Sequence, residues 1–148
     1  MNLREPRALR DWIDCGNGLT SEVIRAAIEV HRTLGPGLLE SVYELSLVLE
    51  LLSSDVRVER QVEIPVSYKG TELGTSFRAD LIVDSRLILE IKAVDSLRPI
   101  HIAQIMTYQR ILKFHRGLIL NFNTPLLKDG IKRVSVFPPE HPGSSEVK

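Results

Sequence analysis

The chain has 148 residues, 43% hydrophobic and 26% charged, which excludes a disordered or fibrous protein and fits one globular domain with a real core. Its 19 basic residues balance 19 acidic ones; zero net charge argues against a protein that coats nucleic acid through bulk positive charge, but not against a local basic rim beside acidic groups. The one cysteine, Cys15, excludes an intramolecular disulfide, and the absence of a long apolar run or an apolar leader leads to the expectation of a cytoplasmic protein with no membrane span and no secretory signal.

Residues 1–18 are charged and irregular and are expected to form a flexible arm. The segment 138–148, rich in Pro, Gly and Ser, is expected to be a disordered tail. One domain should therefore occupy residues 19–137. A first helix is predicted over Thr20–Leu34, capped by Thr20, with Val23, Ile24, Ala27, Ile28, His31 and Leu34 on its apolar face. Gly35-Pro36 stops it. A second helix, from about Leu39 to Ser53, should bury Val42, Leu45, Leu49 and Leu52, helped by Val48.

The apolar period then changes from 3.6 to 2. Strands are predicted at Val56–Glu59, Gln61–Tyr68, Phe77–Val83 and Leu87–Ala93, with Thr71–Leu73 pairing back briefly after the Lys69-Gly70 turn. Pro65 marks an edge position or a bulge. Asp84-Ser85-Arg86 makes the last two strands an antiparallel hairpin. A third helix is predicted from Leu97 or Pro99 to Phe114, with Ser96 as its cap. Strands at Leu118–Phe122 and Ile131–Phe137 complete the order ααββββαββ. The expected fold is α/β, with a mixed central sheet flanked by helices, since neither layer can bury its apolar face alone.

Within this plan an acid and a base interrupt an apolar strand. Glu90 and Lys92 share one face and Leu87, Leu89 and Ile91 the other. Asp80 lies about as far before the hairpin turn as Glu90 lies after it, so pairing can bring the two carboxylates together. Two close carboxylates repel unless a cation sits between them, and a hard divalent ion such as Mg²⁺ or Mn²⁺ suits oxygen ligands. With Lys92 beside them, these are the parts phosphodiester hydrolysis needs. The pattern alone is common, and on it alone a solvated same-face ion pair is the better reading. Gln104 and Tyr108 add weight, four apart on the next helix and so on one face, with His101 one turn earlier.

The run Gly37-x-x-Glu40-x-x-Tyr43 resembles the signature of the GxxExxY proteins, a bacterial and archaeal group within the PD-(D/E)XK nuclease superfamily. The resemblance extends through Phe77-Arg78-Ala79-Asp80, Glu90-Ile91-Lys92-Ala93-Val94, Gln104-x-x-x-Tyr108 and Leu120-Asn121-Phe122-Asn123. It implies a restriction-endonuclease-like core. It also implies Glu40, Asp80, Glu90 and the Ile91 carbonyl as metal ligands, Lys92 as the catalytic lysine, and Gln104 with Tyr108 organising the site or touching DNA. Arg78, Tyr43 and His101 are weaker candidates for contact with nucleic acid, and His31 is expected at the edge of the core.

The expected function is thus a Mg²⁺- or Mn²⁺-dependent nuclease acting on nucleic acid, DNA first, in repair, recombination or defence. A domain this small is a candidate homodimer for engaging a duplex. The alternative is a catalytically silent nuclease-fold module that binds nucleic acid or a protein partner.

Overall fold

The computed structural model describes residues 18–136. The expected arm, apart from Gly18, and the expected tail, with Phe137, lie outside the described residues. The elements in chain order are α1 (Thr20–Leu34), α2 (Glu40–Ser53), β1 (Val58–Tyr68), β2 (Thr71–Val83), β3 (Leu87–Lys92), α3 (Pro99–Leu112), β4 (Arg116–Asn121), a 3₁₀ turn (Leu127–Gly130) and β5 (Ile131–Ser135). The five strands form one mixed sheet in the order β1-β2-β3-β4-β5. Only β3 and β4 run parallel, because α3 carries the chain back between them; every other neighbour is antiparallel.

The fold class is the expected one, but the order is ααβββαββ rather than ααββββαββ. The two runs anticipated before Lys69 are a single strand. Gln61, expected as an ordinary polar position at the start of the second run, takes a left-handed φ of 51° while the pairing continues from Arg60↔Leu81 to Val62↔Ala79. The chain is kinked there without leaving the ladder. Thr71–Leu73 likewise belongs to the long β2. Pro65 lies on the edge strand, and the register shifts between it and Ser67, since a residue without an amide hydrogen is tolerated at such a place.

The sheet separates two cores. On one side α1 and α2 bring Val23, Ala27, Tyr43, Leu47 and Leu51 against Leu81, Leu89, Ile91 and Phe122. On the other, α3 brings Ile105 and Tyr108 against Ile82, Ile88, Ile119 and Val134. Strand β3 is central and buried on both faces, as its near-continuous apolar sequence requires.

Several expected faces and caps are different. Leu19, not Thr20, occupies the N-cap of α1, and Thr20 is buried inside the helix. The buried stripe of α1 runs through Val23, Ala26, Ala27, Val30 and His31, leaving Ile28 and Leu34 exposed. In α2 the core takes Tyr43, Glu44, Leu47 and Leu51, while Val42, Leu45, Leu49 and Leu52 face outward. That helix is apolar on two opposite faces, so periodicity alone cannot say which one the sheet takes. The N-cap of α3 is Arg98 rather than Ser96.

Candidate active site

Pairing between β2 and β3 runs Val83↔Leu87, Ile82↔Ile88, Leu81↔Leu89. Beyond Leu81 and Leu89 side chains bridge the two strands. The Asp80 amide donates to Glu90 Oε2 at 3.1 Å, and the Ile91 amide donates to Asp80 Oδ2 at 2.8 Å. Each carboxylate thus holds the backbone of the opposite strand, which fixes both at the open end of the hairpin. Glu90 is buried and Lys92, two residues on, is half-buried.

The kink at Gln61 explains how Asp80 reaches this position. In β2, Phe77 and Ala79 pack toward α3, whereas Leu81 and Val83 pack toward α1 and α2. In a regular strand these four would share a face, so the inward face changes at Asp80, opposite Gln61. Asp80 therefore senses groups from both helical layers.

The electrostatics follow from this crowding. Burial, then the charge of Asp80, pushes the Glu90 carboxyl from its usual 4.5 up to about 8, against the opposing pull of the Asp80 amide and Lys92. Burial also raises Asp80, with Glu44 adding to it, while the Ile91 amide, Lys92 and Gln61 oppose the rise. Tyr108 is raised by burial and by the charges of Glu90 and Asp80. Two acids are held where ionisation is costly, with one lysine close enough to favour their charged forms.

A third acid comes from α2. Glu40, the expected one, accepts the Ala93 amide at 3.0 Å and so ties the start of α2 to the residue after Lys92. Glu44, one turn later, is buried and sends its charge to both Asp80 and Glu90. Gln61 Nε2 donates to Glu44 at 2.9 and 3.0 Å and reaches Asp80 Oδ1 at 3.4 Å. Arg60 pairs with Glu44 at 3.0 Å. Neither Glu44 nor this Arg60–Gln61 clamp was anticipated. The usable signal was the four-residue spacing that stacks Glu44 over Glu40 on one helix face.

The remaining expected residues fall into place unequally. Tyr108 is buried against Phe77, ring centroids 5.2 Å apart, and faces the acids. Gln104 is exposed one turn before it. His101 Nδ1 accepts the Arg98 amide at 3.0 Å, so this ring serves the start of α3. Arg78 is exposed and lies 3.8 Å from Glu63. Tyr43 has no surface to offer a nucleic acid: it is fully buried and stacked on Phe122 at 4.5 Å. Its hydroxyl donates to Gly35 O at 2.6 Å and accepts from Leu38 N at 3.0 Å. His31 is buried, with Nε2 2.8 Å from the Thr124 carbonyl. Asn121 brackets Val94, accepting from its amide and donating to its carbonyl at 3.0 Å each, which steadies the chain leaving Lys92.

These bonds give the Gly37-x-x-Glu40-x-x-Tyr43 run a physical meaning. Gly37 takes a left-handed φ of 97° that other residues enter only with strain. Tyr43 closes the turn that contains it, and Glu40 moors the helix to the end of β3.

Residues 17–134 match the family model described as the PD-(D/E)XK nuclease superfamily. The chain belongs to the PD-(D/E)XK nuclease superfamily. No curated protein and no solved structure matches it.

PD-(D/E)XK nucleases generally use divalent metals, and the donors here can be tested against that. The Asp80 and Glu90 carboxylates supply hard oxygen ligands, and their costly ionisation is what a cation between them relieves. Among the described residues no three Asp, Glu, His or Cys side chains form a ready-made metal cage. Mg²⁺ commonly binds through one or two carboxylates and fills its shell with water and phosphate. The residues therefore fit an open two-carboxylate site rather than a closed one. No helix among the described residues is long and apolar enough to cross a membrane.

Proposed function

We propose that this PD-(D/E)XK protein is a nuclease that needs Mg²⁺ or Mn²⁺ and hydrolyses phosphodiester bonds of nucleic acid, with DNA as the first substrate to test. Asp80, Glu90 and Lys92 form its centre, and the GxxExxY group is its place within the superfamily. The observation that carries the reading is the reciprocal hold of Asp80 and Glu90 on each other's strands beside the positive charge of Lys92. A bound divalent cation supplies charge neutralisation at the phosphate and a more acidic water.

The chain's own residues do the rest. Asp80 and Glu90 would hold the cation. Ile91 uses its amide toward the β2 side, and in an extended strand its carbonyl lies on that same edge, where it can be a further ligand. Lys92 shares the Glu90 face of the strand and lies close enough to pull on both acids; in this reading it orients the attacking water and neutralises charge on the phosphate. Tyr108, held in its phenol form by burial and by the acids, offers a hydrogen-bond donor. Gln104, exposed one turn before it, meets substrate in this reading. Glu40 positions Ala93, and thereby Lys92, while Glu44 adds negative charge behind Asp80.

The test is a panel of single- and double-stranded DNA and RNA, linear and circular, incubated with Mg²⁺, Mn²⁺ or EDTA. Metal-dependent cutting of at least one substrate is expected. One feature favours the silent-module alternative: Arg60 already pairs with Glu44, and Gln61 donates to Glu44 and reaches Asp80. Metal-independent binding with no cutting across the panel would support that alternative and reject the nuclease.

A further inference from the structure

The outer face of α2 does not match a helix that ends at solvent. Surface helices carry charge outward. Here the outward positions are Val42 (38% exposed), Leu45 (48%), Leu49 (70%) and Leu52 (52%). Their spacing is 3, 4, 3, the alternation of a seam that packs against another helix. It lies opposite the Tyr43, Leu47 and Leu51 face that already fills the intramolecular core.

The flanks of the seam narrow the choice of occupant. Positions beside it are Ser41, Ser46, Val48 and Ser53. Such flanks usually carry charges that select a partner or forbid self-pairing. Here they are neutral and small, so two copies meet without like-charge repulsion and their backbones can approach. The three acids of the helix lie off the seam and its flanks: Glu44 is buried and paired with Arg60, Glu40 holds Ala93, and half-buried Glu50 sits about a third of a turn round from the seam. A partner selected by charge would find nothing to read on this face.

We infer that α2 is a homodimer interface, in which the Val42–Leu52 seams of two copies pair antiparallel about a two-fold axis. In that arrangement Leu45 meets Leu49 of the second copy and Val42 meets Leu52. Opposed helix dipoles favour this direction, and the isologous pairing closes the assembly at two chains. A helix of 14 residues is about 21 Å long, so the contact is small and the dissociation constant is expected to be of order micromolar. The inference does not rest on the nuclease reading, because it uses none of the site residues.

The experiment is sedimentation equilibrium on the full chain up to about 100 µM, well above a micromolar dissociation constant, without metal or nucleic acid. A monomer–dimer equilibrium is expected for the wild type. Leu45→Glu and Leu49→Glu should each be monomeric at the top concentration with unchanged circular dichroism, since both positions are exposed. Orientation is read by mixing Leu45→Cys and Leu49→Cys proteins made in a Cys15→Ser background. Mild oxidation should cross-link the two variants to each other at least tenfold more than either to itself. A monomeric wild type, or a dimer that survives both Glu substitutions, overturns the interface. Preferential self-cross-linking overturns the antiparallel arrangement.

Discussion

Glu90 Oε2 accepts the backbone amide of Asp80 at 3.1 Å across the open end of the β2–β3 hairpin, so the two acids are locked together by the fold itself. Glu90 titrates near 8 in the folded chain, against 4.5 ordinarily. Between those values the folded state keeps a proton that the unfolded state has released. The stability this group contributes is therefore full below pH 4.5 and is lost as pH rises through 8; Asp80, also raised, acts in the same direction. Glu90→Gln cannot ionise. In urea unfolding without metal it should match the wild type near pH 4.5 and be more stable than it near pH 9, with a flatter slope between. Equal pH slopes for the two proteins would show that Glu90 is not held in this way.

Metal should reverse that penalty, because a cation favours the ionised carboxylates. Saturating Mn²⁺ should raise the Tm of the wild type by several degrees, the size expected when ligand exceeds its Kd about 100-fold. The rise should be larger near pH 8 than near pH 5, and absent in Asp80→Asn and Glu90→Gln. Differential scanning fluorimetry across pH checks it, and a Tm rise that persists in both variants would place the metal elsewhere.

Glu44 and Glu40 make separable contributions. Glu44→Gln removes a buried charge felt at Asp80 and Glu90 and should weaken Mn²⁺ affinity, read by isothermal titration calorimetry, more than Glu40→Gln does. Glu44→Ala should also cost about 1–2 kcal/mol of stability, discounted because Arg60 is partly solvated. Equal Mn²⁺ affinities in the two Gln variants would remove Glu44 from the site.

Tyr43→Phe distinguishes a structural role from a binding one. The hydroxyl's two bonds at the Gly35–Leu38 turn are lost, which should cost about 1–3 kcal/mol. Affinity for nucleic acid, measured by fluorescence anisotropy on the folded variant, should not change. A large loss of affinity with unchanged stability would contradict the buried role.

Much of this was legible in the chain. The end of α1 follows from Gly35-Pro36, and the β2–β3 hairpin from Asp84-Ser85-Arg86 between two apolar runs. The shared face of Glu90 and Lys92 follows from a period of two. What stayed hidden depends on tertiary packing. Val42, Leu45, Leu49 and Leu52 are as apolar as Tyr43, Leu47 and Leu51, so the sequence of α2 does not say which side meets the sheet. Gln61 reads as an ordinary polar position of a strand, and nothing local announces that its kink turns Asp80 between two layers. Glu44 looks like an ordinary solvated helix charge until Arg60 and Gln61 arrive from β1.

The most direct test is single-turnover cleavage of end-labelled DNA with Mn²⁺, comparing the wild type with Asp80→Asn and Lys92→Met. The account predicts cutting by the wild type and losses of at least about 10²–10³-fold in both variants, with Mn²⁺ stabilisation retained in Lys92→Met and lost in Asp80→Asn. Cutting that survives both substitutions would contradict the assignment of this site.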